Sequence, residues 1–349
     1  MNRPPGDTDS LGAERDRKAE HIALALDPEI QLRPSAFDSY VLEHQALPEL
    51  DLAAVDCRTR FLGRELAAPL LISCMTGGTA EARAINRNLA LAAEQQRVAL
   101  GVGSQRKAIE DPSLAATFEV REFAPSVPLL ANLGAVQLNY GFGLDECRRA
   151  VEMIDADALV LHLNPLQEAL QPEGQCDFSG LLDKIGAIVD GLAVPVIVKE
   201  IGCGLSGRAG RLLAGAGVSI VDSAGLGGTS WSRIEGRRAR QPELGELFAG
   251  WGVETVESIR ALSAVGGLTV IGSGGVRSGI DVALALAVGA DLVGIAQPFL
   301  KAAVDSAEST NAQVARTCRE LEIAMFCSGA ADLEALRGVP VERRGCERC

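Results

Sequence analysis

From residue 69 onward the chain repeats one unit: a short run of Val, Ile and Leu ends in glycine or polar residues, and a stretch of helical periodicity follows. The runs are PLLISC (69–74), VALGVGS (98–104), PLLANLGA (128–135), ALVLHLN (158–164), VPVIVKEIG (194–202), VSIVDSAG (218–225), LTVIGSGG (268–275) and DLVGIAQP (291–298). Their starts lie about 24 to 50 residues apart, enough for a crossover helix between parallel strands. Continuous apolar runs, rather than alternating ones, suit strands covered on both faces. The segments between them, such as EARAINRNLALAAEQQ (81–96) and RSGIDVALALAV (277–288), carry the helical period. Eight such units over about 230 residues fit an α/β fold of the (β/α)8 TIM-barrel type, with an open doubly wound sheet as the rival.

The expected organisation is a disordered tail (1–14), an N-terminal extension (15–68), the barrel (69–335) and a C-terminal tail (336–349). Residues 226–267 read as a long insertion after the sixth strand, the kind of loop that covers a site. A net charge of −13 argues against nucleic acid or an anionic membrane as partner, while leaving room for a small anion held by a local basic cluster. The first residues, MNRPPGDTDSLGAERDRKAE, contain no apolar signal segment. VALALAVGA (282–290) stops at Asp291, well short of the roughly 18–20 residues that span a bilayer. Nine scattered cysteines suit reduced thiols in a cytoplasmic enzyme. Cys346 and Cys349 form a CxxC with no second ligand pair, which does not make a zinc site.

Barrel chemistry sits at the carboxyl ends of the strands. Those ends read MTGG (75–78), GSQR (103–106), NLGA (132–135), HLNPLQE (162–168), KE (199–200), DSAGLGGTS (222–230), GSGG (272–275) and AQ (296–297). Every one carries glycine or hydrogen-bonding groups, which points to an enzyme. GSGG and Ala296-Gln297 stand where barrels hold phosphate. Lys199 ends a very apolar strand, so it either pairs with a carboxylate such as Glu200 or faces a ligand. Two basic groups, Arg17-Lys18 with His21 and Arg106-Lys107, suit either a solvated face or a diphosphate.

Taken together, RKAEHI (17–22), HQALPELDL (44–52), MTGG, GSQR, NLGA, HLNPLQE, KEIG (199–202), GLGGTSW (225–231), FAGWG (248–252) and GSGG resemble the type 2 isopentenyl-diphosphate isomerase family. The resemblance runs from about residue 15 to 305. It implies an FMN-dependent (β/α)8 barrel that uses Mg²⁺ and is activated by flavin reduction, commonly with NADPH. It also implies interconversion of isopentenyl and dimethylallyl diphosphate in isoprenoid biosynthesis, by a homo-oligomer, tetramer or octamer.

By the same resemblance Arg17, Lys18, His21, Ser104, Gln105, Arg106 and Gln167 would bind substrate, and Glu168 would bind the metal. His162, Asn164 and Gln167 would be catalytic, orienting the substrate beside the reacting carbons. The flavin would be held by Met75, Thr76, Gly77, Ser104, Asn132, Lys199, Thr229, Gly274, Gly275, Arg277, Ala296 and Gln297. Cys74 departs from the serine expected before MTGG. A flavin hydroxy-acid oxidase is the main rival, but it wants a histidine base late in the barrel, and the three histidines are His21, His44 and His162. An inosine-monophosphate-dehydrogenase-like barrel wants a cysteine nucleophile where GLGGTSW stands.

Overall fold

The computed structural model describes residues 18–344. Eight strands form the barrel: Leu70–Ile72 (β1), Ala99–Gly101 (β2), Leu129–Gly134 (β3), Ala158–His162 (β4), Val196–Lys199 (β5), Ile220–Asp222 (β6), Thr269–Ser273 (β7) and Leu292–Ile295 (β8). Each pairs in parallel with the next, and β8 closes on β1 through Val293↔Leu70, Gly294↔Leu71 and Ile295↔Ile72. Closure removes the open-sheet alternative. Both faces of each strand are buried, as the unbroken apolar runs require. Leu71, Ala99, Leu130, Val160, Ile197, Ile220, Ile271 and Leu292 pack together inside the barrel. Their neighbours in sequence, such as Leu70, Leu129, Leu159, Val198, Val270 and Val293, join the larger core.

The helices fall where the periodicity places them. Ala80–Gln96 starts at Thr79, whose side chain accepts from the Ala82 N–H, and Gly279–Ala287 starts with a capping box between Ser278 and Asp281. The expected insertion is itself helical. Trp231–Arg238 and Pro242–Leu247 lie in it, and its last part, Thr255–Ser263, is the regular barrel helix between β6 and β7, so the inserted stretch is shorter than the expected 226–267.

A helix over residues 18–26 brings the N-terminal extension across the mouth of the barrel. The extension is tied there by Leu32 N–H donating to Gly228 O (2.8 Å), Ser230 N–H to Ile30 O (3.1 Å) and an Arg277 Nη2–H to Leu32 O (2.6 Å). The described part of the C-terminal segment differs from the expected tail. Val341–Arg343 pairs antiparallel with Tyr40–Leu42, so backbone hydrogen bonding draws it onto the extension. Among the described residues no helix is long and apolar enough to cross a membrane.

The opposite end of the barrel is plugged by the hairpin Thr59–Phe61 and Arg64–Leu66, whose Phe61 and Leu66 join the interior cluster. Asp157, just before β4, fixes the hairpin in place. It accepts from Arg64 Nε (2.9 Å), Arg121 Nη2 (2.7 Å) and the Leu129 N–H (2.8 Å). Burial raises its pKa, but the Leu129 N–H and the two guanidinium groups outweigh this and hold it below the usual carboxylate value. A depressed carboxylate stabilises the fold above its unfolded pKa, and that contribution is lost as pH falls through the folded value. Asp157→Asn should therefore lower stability at pH 7 by about 1.5–3 kcal/mol, the worth of hydrogen bonds to a charged group. In urea denaturation the gap to wild type should narrow as pH drops below about 4; a gap constant from pH 7 to pH 3 would contradict the assignment.

Candidate active site

Side chains alternate along a strand, so the residue two beyond each interior apolar group points the same way, one level nearer the mouth. On the eight barrel strands and their ends that level reads Ser73, Gly101, Asn132, His162, Lys199, Asp222, Ser273 and Gly294. An apolar plug is thus followed by a ring of polar groups and two glycines. The glycines keep the ring open. A Cβ on Gly101 would come within 2.4 Å of Cys74 Sγ, and one on Gly294 within 2.6 Å of Ser73 Oγ. One cavity opens above the ring, and Ser73, Asn132, His162, Lys199, Ser273 and Gly294 line its floor.

The HLNPLQE segment forms one wall. His162 ends β4, Asn164 caps the short helix Pro165–Leu170, and Gln167 and Glu168 lie in the first turns of that helix rather than on a loop. Asn164 Nδ2 donates to Gln167 Oε1 (2.9 Å) and Glu168 Oε1 (2.8 Å), while its buried Oδ1 has no partner among the described residues. Gln167 Nε2 donates to Glu235 Oε1 (2.8 Å). Glu168 Oε2 accepts from the Gln175 N–H (2.7 Å) and from Gln171 Nε2. His162 Nδ1 lies 2.8 Å from Asn132 Oδ1. Burial, then the charges of Lys199 and Lys18, push the His162 pKa down to about 3, so the imidazole is neutral at physiological pH.

Lys18, Arg106 and Lys107 bring cationic groups to the rim of the same cavity. Arg106 Nε donates to Glu110 (2.8 Å) and its Nη1 to Gln175 Oε1 (3.4 Å), and Lys107 Nζ lies 3.2 Å from Glu110. His21 Nε2 is 3.0 Å from Glu235 Oε1, and its ring stands edge-on to Trp231 at 5.2 Å. Arg17 lies outside the described residues.

Across the cavity, the loop after β7 is built for close backbone approach. Gly274 (φ +106°) and Gly275 (φ +74°) would put a Cβ 2.2 Å from Gly225 O and 2.3 Å from Gly227 O. Ala296 caps the nine-residue helix Gln297–Asp305, and Gly274, Gly275, Ala296 and Gln297 line the same cavity at the ends of β7 and β8, where barrels of this kind hold phosphate. Thr76 Oγ1 and Ser73 Oγ are buried without a partner among the described residues, which leaves two hydroxyls for a polar ligand. Met75, Ser104, Thr229, Arg277 and Gln297 also line the cavity.

Three expectations change. The Glu200 carboxylate does not pair with Lys199; it accepts from the N–H groups of Ile201 (2.6 Å), Gly202 (2.7 Å) and Cys203 (2.5 Å), while Lys199 Nζ donates to Glu200 O (2.5 Å). Gln105 is fully buried and turned away from the cavity, because its amide locks Asn132 N–H (2.9 Å) and Ala150 O (2.8 Å). Gly77 is not part of the cavity lining, and glycine is required there because a Cβ would meet the Phe118 ring at 1.9 Å. Trp231, Glu235 and Asp222 are assigned no site role from the sequence, although GLGGTSW ends in Trp231 and the strand end DSAGLGGTS opens on Asp222. For Glu235 the available signal is its spacing of four from Trp231 on a helix, which puts the two on one face.

A divalent cation at Glu168 would have few protein ligands. Three of the carboxylate's hydrogen-bonding positions are taken, and no group of three His, Cys, Asp or Glu side chains among the described residues could hold a metal. Mg²⁺ fits such a site when phosphate oxygens and water complete its shell.

Residues 182–342 match the family described as FMN-dependent dehydrogenase. The chain is 48% identical over 340 residues to an isopentenyl-diphosphate delta-isomerase of Nostoc sp., covering 96% of this chain and 97% of that protein. It is 51% identical over 330 residues to the proteins of the same name from Synechococcus sp. and Paracoccus zeaxanthinifaciens, covering 92% of this chain and 94% and 95% of theirs. Among solved structures, a mandelate oxidase variant with a monooxide FMN adduct aligns at a TM-score of 0.63 and 19% identity, over 93% of this chain and 92% of that one. That likeness is one of fold alone. Identity of about half, sustained along nearly the whole length of proteins that share one name, decides the family: the chain belongs to the isopentenyl-diphosphate delta-isomerases, which are isomerases.

Proposed function

We propose that this protein binds FMN and Mg²⁺ and converts isopentenyl diphosphate to dimethylallyl diphosphate. The observation that carries the reading is the division of one cavity: a hydrogen-bonding floor with the single cation Lys199 and a glycine loop on one side, and Lys18, Arg106 and Lys107 on the other. FMN would be held by Met75, Thr76, Ser104, Asn132, Lys199 and Thr229, with its phosphate at Gly274, Gly275, Arg277, Ala296 and Gln297. When bound and reduced, it supplies an acid and base beside a substrate whose double bond moves without net redox change.

The chain's own residues do the rest. Arg106, Lys107, Lys18 and Arg17 bind the diphosphate, and Glu168 would hold Mg²⁺, whose charge would offset that of the diphosphate. Gln167 is held from two sides, by Asn164 and by Glu235, so its amide is oriented before substrate arrives. His162 is neutral and cannot serve as a cationic acid; it orients substrate through a hydrogen bond. Trp231 and the helix over residues 18–26 shield the alkene from water. NADPH as reductant, a cytoplasmic location and a homo-oligomer complete the reading by family likeness.

The direct test is anaerobic incubation of isopentenyl diphosphate and Mg²⁺ with enzyme carrying oxidised or photoreduced FMN. Product should form only with reduced FMN, and equal rates would refute the proposal. Glu168→Gln should raise the Mg²⁺ requirement strongly, whereas Gln167→Ala should lower kcat with a nearly normal Mg²⁺ titration. If both variants merely lost thermal stability and kept wild-type Mg²⁺ dependence, the segment would be structural. Arg106→Ala should weaken diphosphate binding roughly ten- to hundredfold by calorimetry, with FMN affinity retained. With only three histidines to assign, ¹⁵N NMR should find His162 neutral from pH 8 to pH 5. A titration midpoint near pH 6 would overturn its orienting role.

A further inference from the structure

Besides His162, the polar ring holds two ionisable side chains, Lys199 and Asp222. They are register partners on β5 and β6, pointing to the same side of the sheet. Lys199 lines the cavity. Asp222 lies beneath it, 2% exposed, and no step proposed above uses it. Its Oδ1 accepts from Ser273 Oγ (2.5 Å) and the Ala224 N–H (3.2 Å). An asparagine oxygen would accept both bonds equally well. The hydrogen bonding therefore explains an oxygen at this position and leaves the negative charge unexplained. A buried charge is costly unless it acts on another, and the cation beside it is Lys199.

We propose that Asp222 is a positioning residue for the flavin site, whose carboxylate offsets the charge of Lys199 at the cavity floor and thereby holds down the reduction potential of bound FMN. This rests on the flavin reading above. Two electrons and one proton leave the reduced ring with one negative charge, which Lys199 favours and Asp222 opposes. The pair thus sets the ease of reduction without Asp222 touching the cofactor. Burial outweighs the rest and holds the Asp222 carboxyl above the usual carboxylate value, while the charge of Lys199 is first among the influences that lower it, so the two groups sense each other.

The test equilibrates FMN-loaded wild type and Asp222→Asn with a reference dye under xanthine oxidase reduction, and reads the flavin spectrum. The substitution keeps the acceptor for Ser273 and Ala224 and removes only the charge. At a fixed dye potential the ratio of reduced to oxidised FMN should rise about tenfold or more, an upward shift of about 30 mV for a two-electron couple. Asp222→Ser, which also removes the charge while keeping a small hydrogen-bonding oxygen, should shift the ratio the same way, and it serves if Asp222→Asn does not fold. A flavin-binding wild type whose variants keep its potential, or fall below it, overturns this proposal and leaves the flavin reading intact. A wild type that binds no FMN overturns both.

Discussion

Closure of eight short parallel strands is the constraint on which the rest of the molecule depends. Once β8 pairs with β1, every strand has one face inside, and alternation fixes which residues share it. Leu71, Leu130, Val160, Ile197, Ile220, Ile271 and Leu292 then fill the barrel, and the residues two further on have nowhere to point except the mouth. Asn132, His162 and Lys199 meet because of strand register, although 67 positions separate the first from the last. The site is a consequence of the barrel's packing.

Burying that much polar chemistry demands compensation, and the structure supplies it locally. His162 avoids charge altogether. Glu200 folds back onto three backbone N–H groups of its own loop. Glu235, fully buried, is flanked by His21, Gln167 and Arg238. Burial raises the Glu235 pKa, but its contacts with His21, Gln167 and Arg238 hold it below the usual value, so it stays a carboxylate. Arg238 also reaches Glu20 and Glu173 (3.1 Å each), so one guanidinium joins the extension, the segment after β4 and the helix Trp231–Arg238. The wall that orients Gln167 is therefore the same assembly that covers the cavity.

The barrel was legible because its signal is repetitive: eight apolar runs with polar ends leave little freedom in topology. HLNPLQE and GSGG were legible because polar clusters and glycines stand out at apolar strand ends. What stayed hidden was contact between distant segments. Gln105 sits between Ser104 and Arg106, which both line the cavity, yet a helix start at Arg106 turns it into the core. Glu200 follows Lys199 directly, and adjacent strand residues face opposite sides, so the cation's neighbour is Asp222 on the next strand. Glu235 looks like one acid in the charged string SRIEGRRAR, and only the fold shows that it faces His21 and Gln167.

Under the proposed function this cavity moves a proton on the substrate without consuming electrons. The measurement that tests this most directly is ¹H and ²H NMR of isopentenyl diphosphate incubated in D₂O with the enzyme, Mg²⁺ and reduced FMN. The expected result is deuterium in the new methyl group of dimethylallyl diphosphate, with the FMN remaining reduced throughout. Product that carries no solvent deuterium, or that appears only as the flavin is oxidised in step with it, would contradict the account.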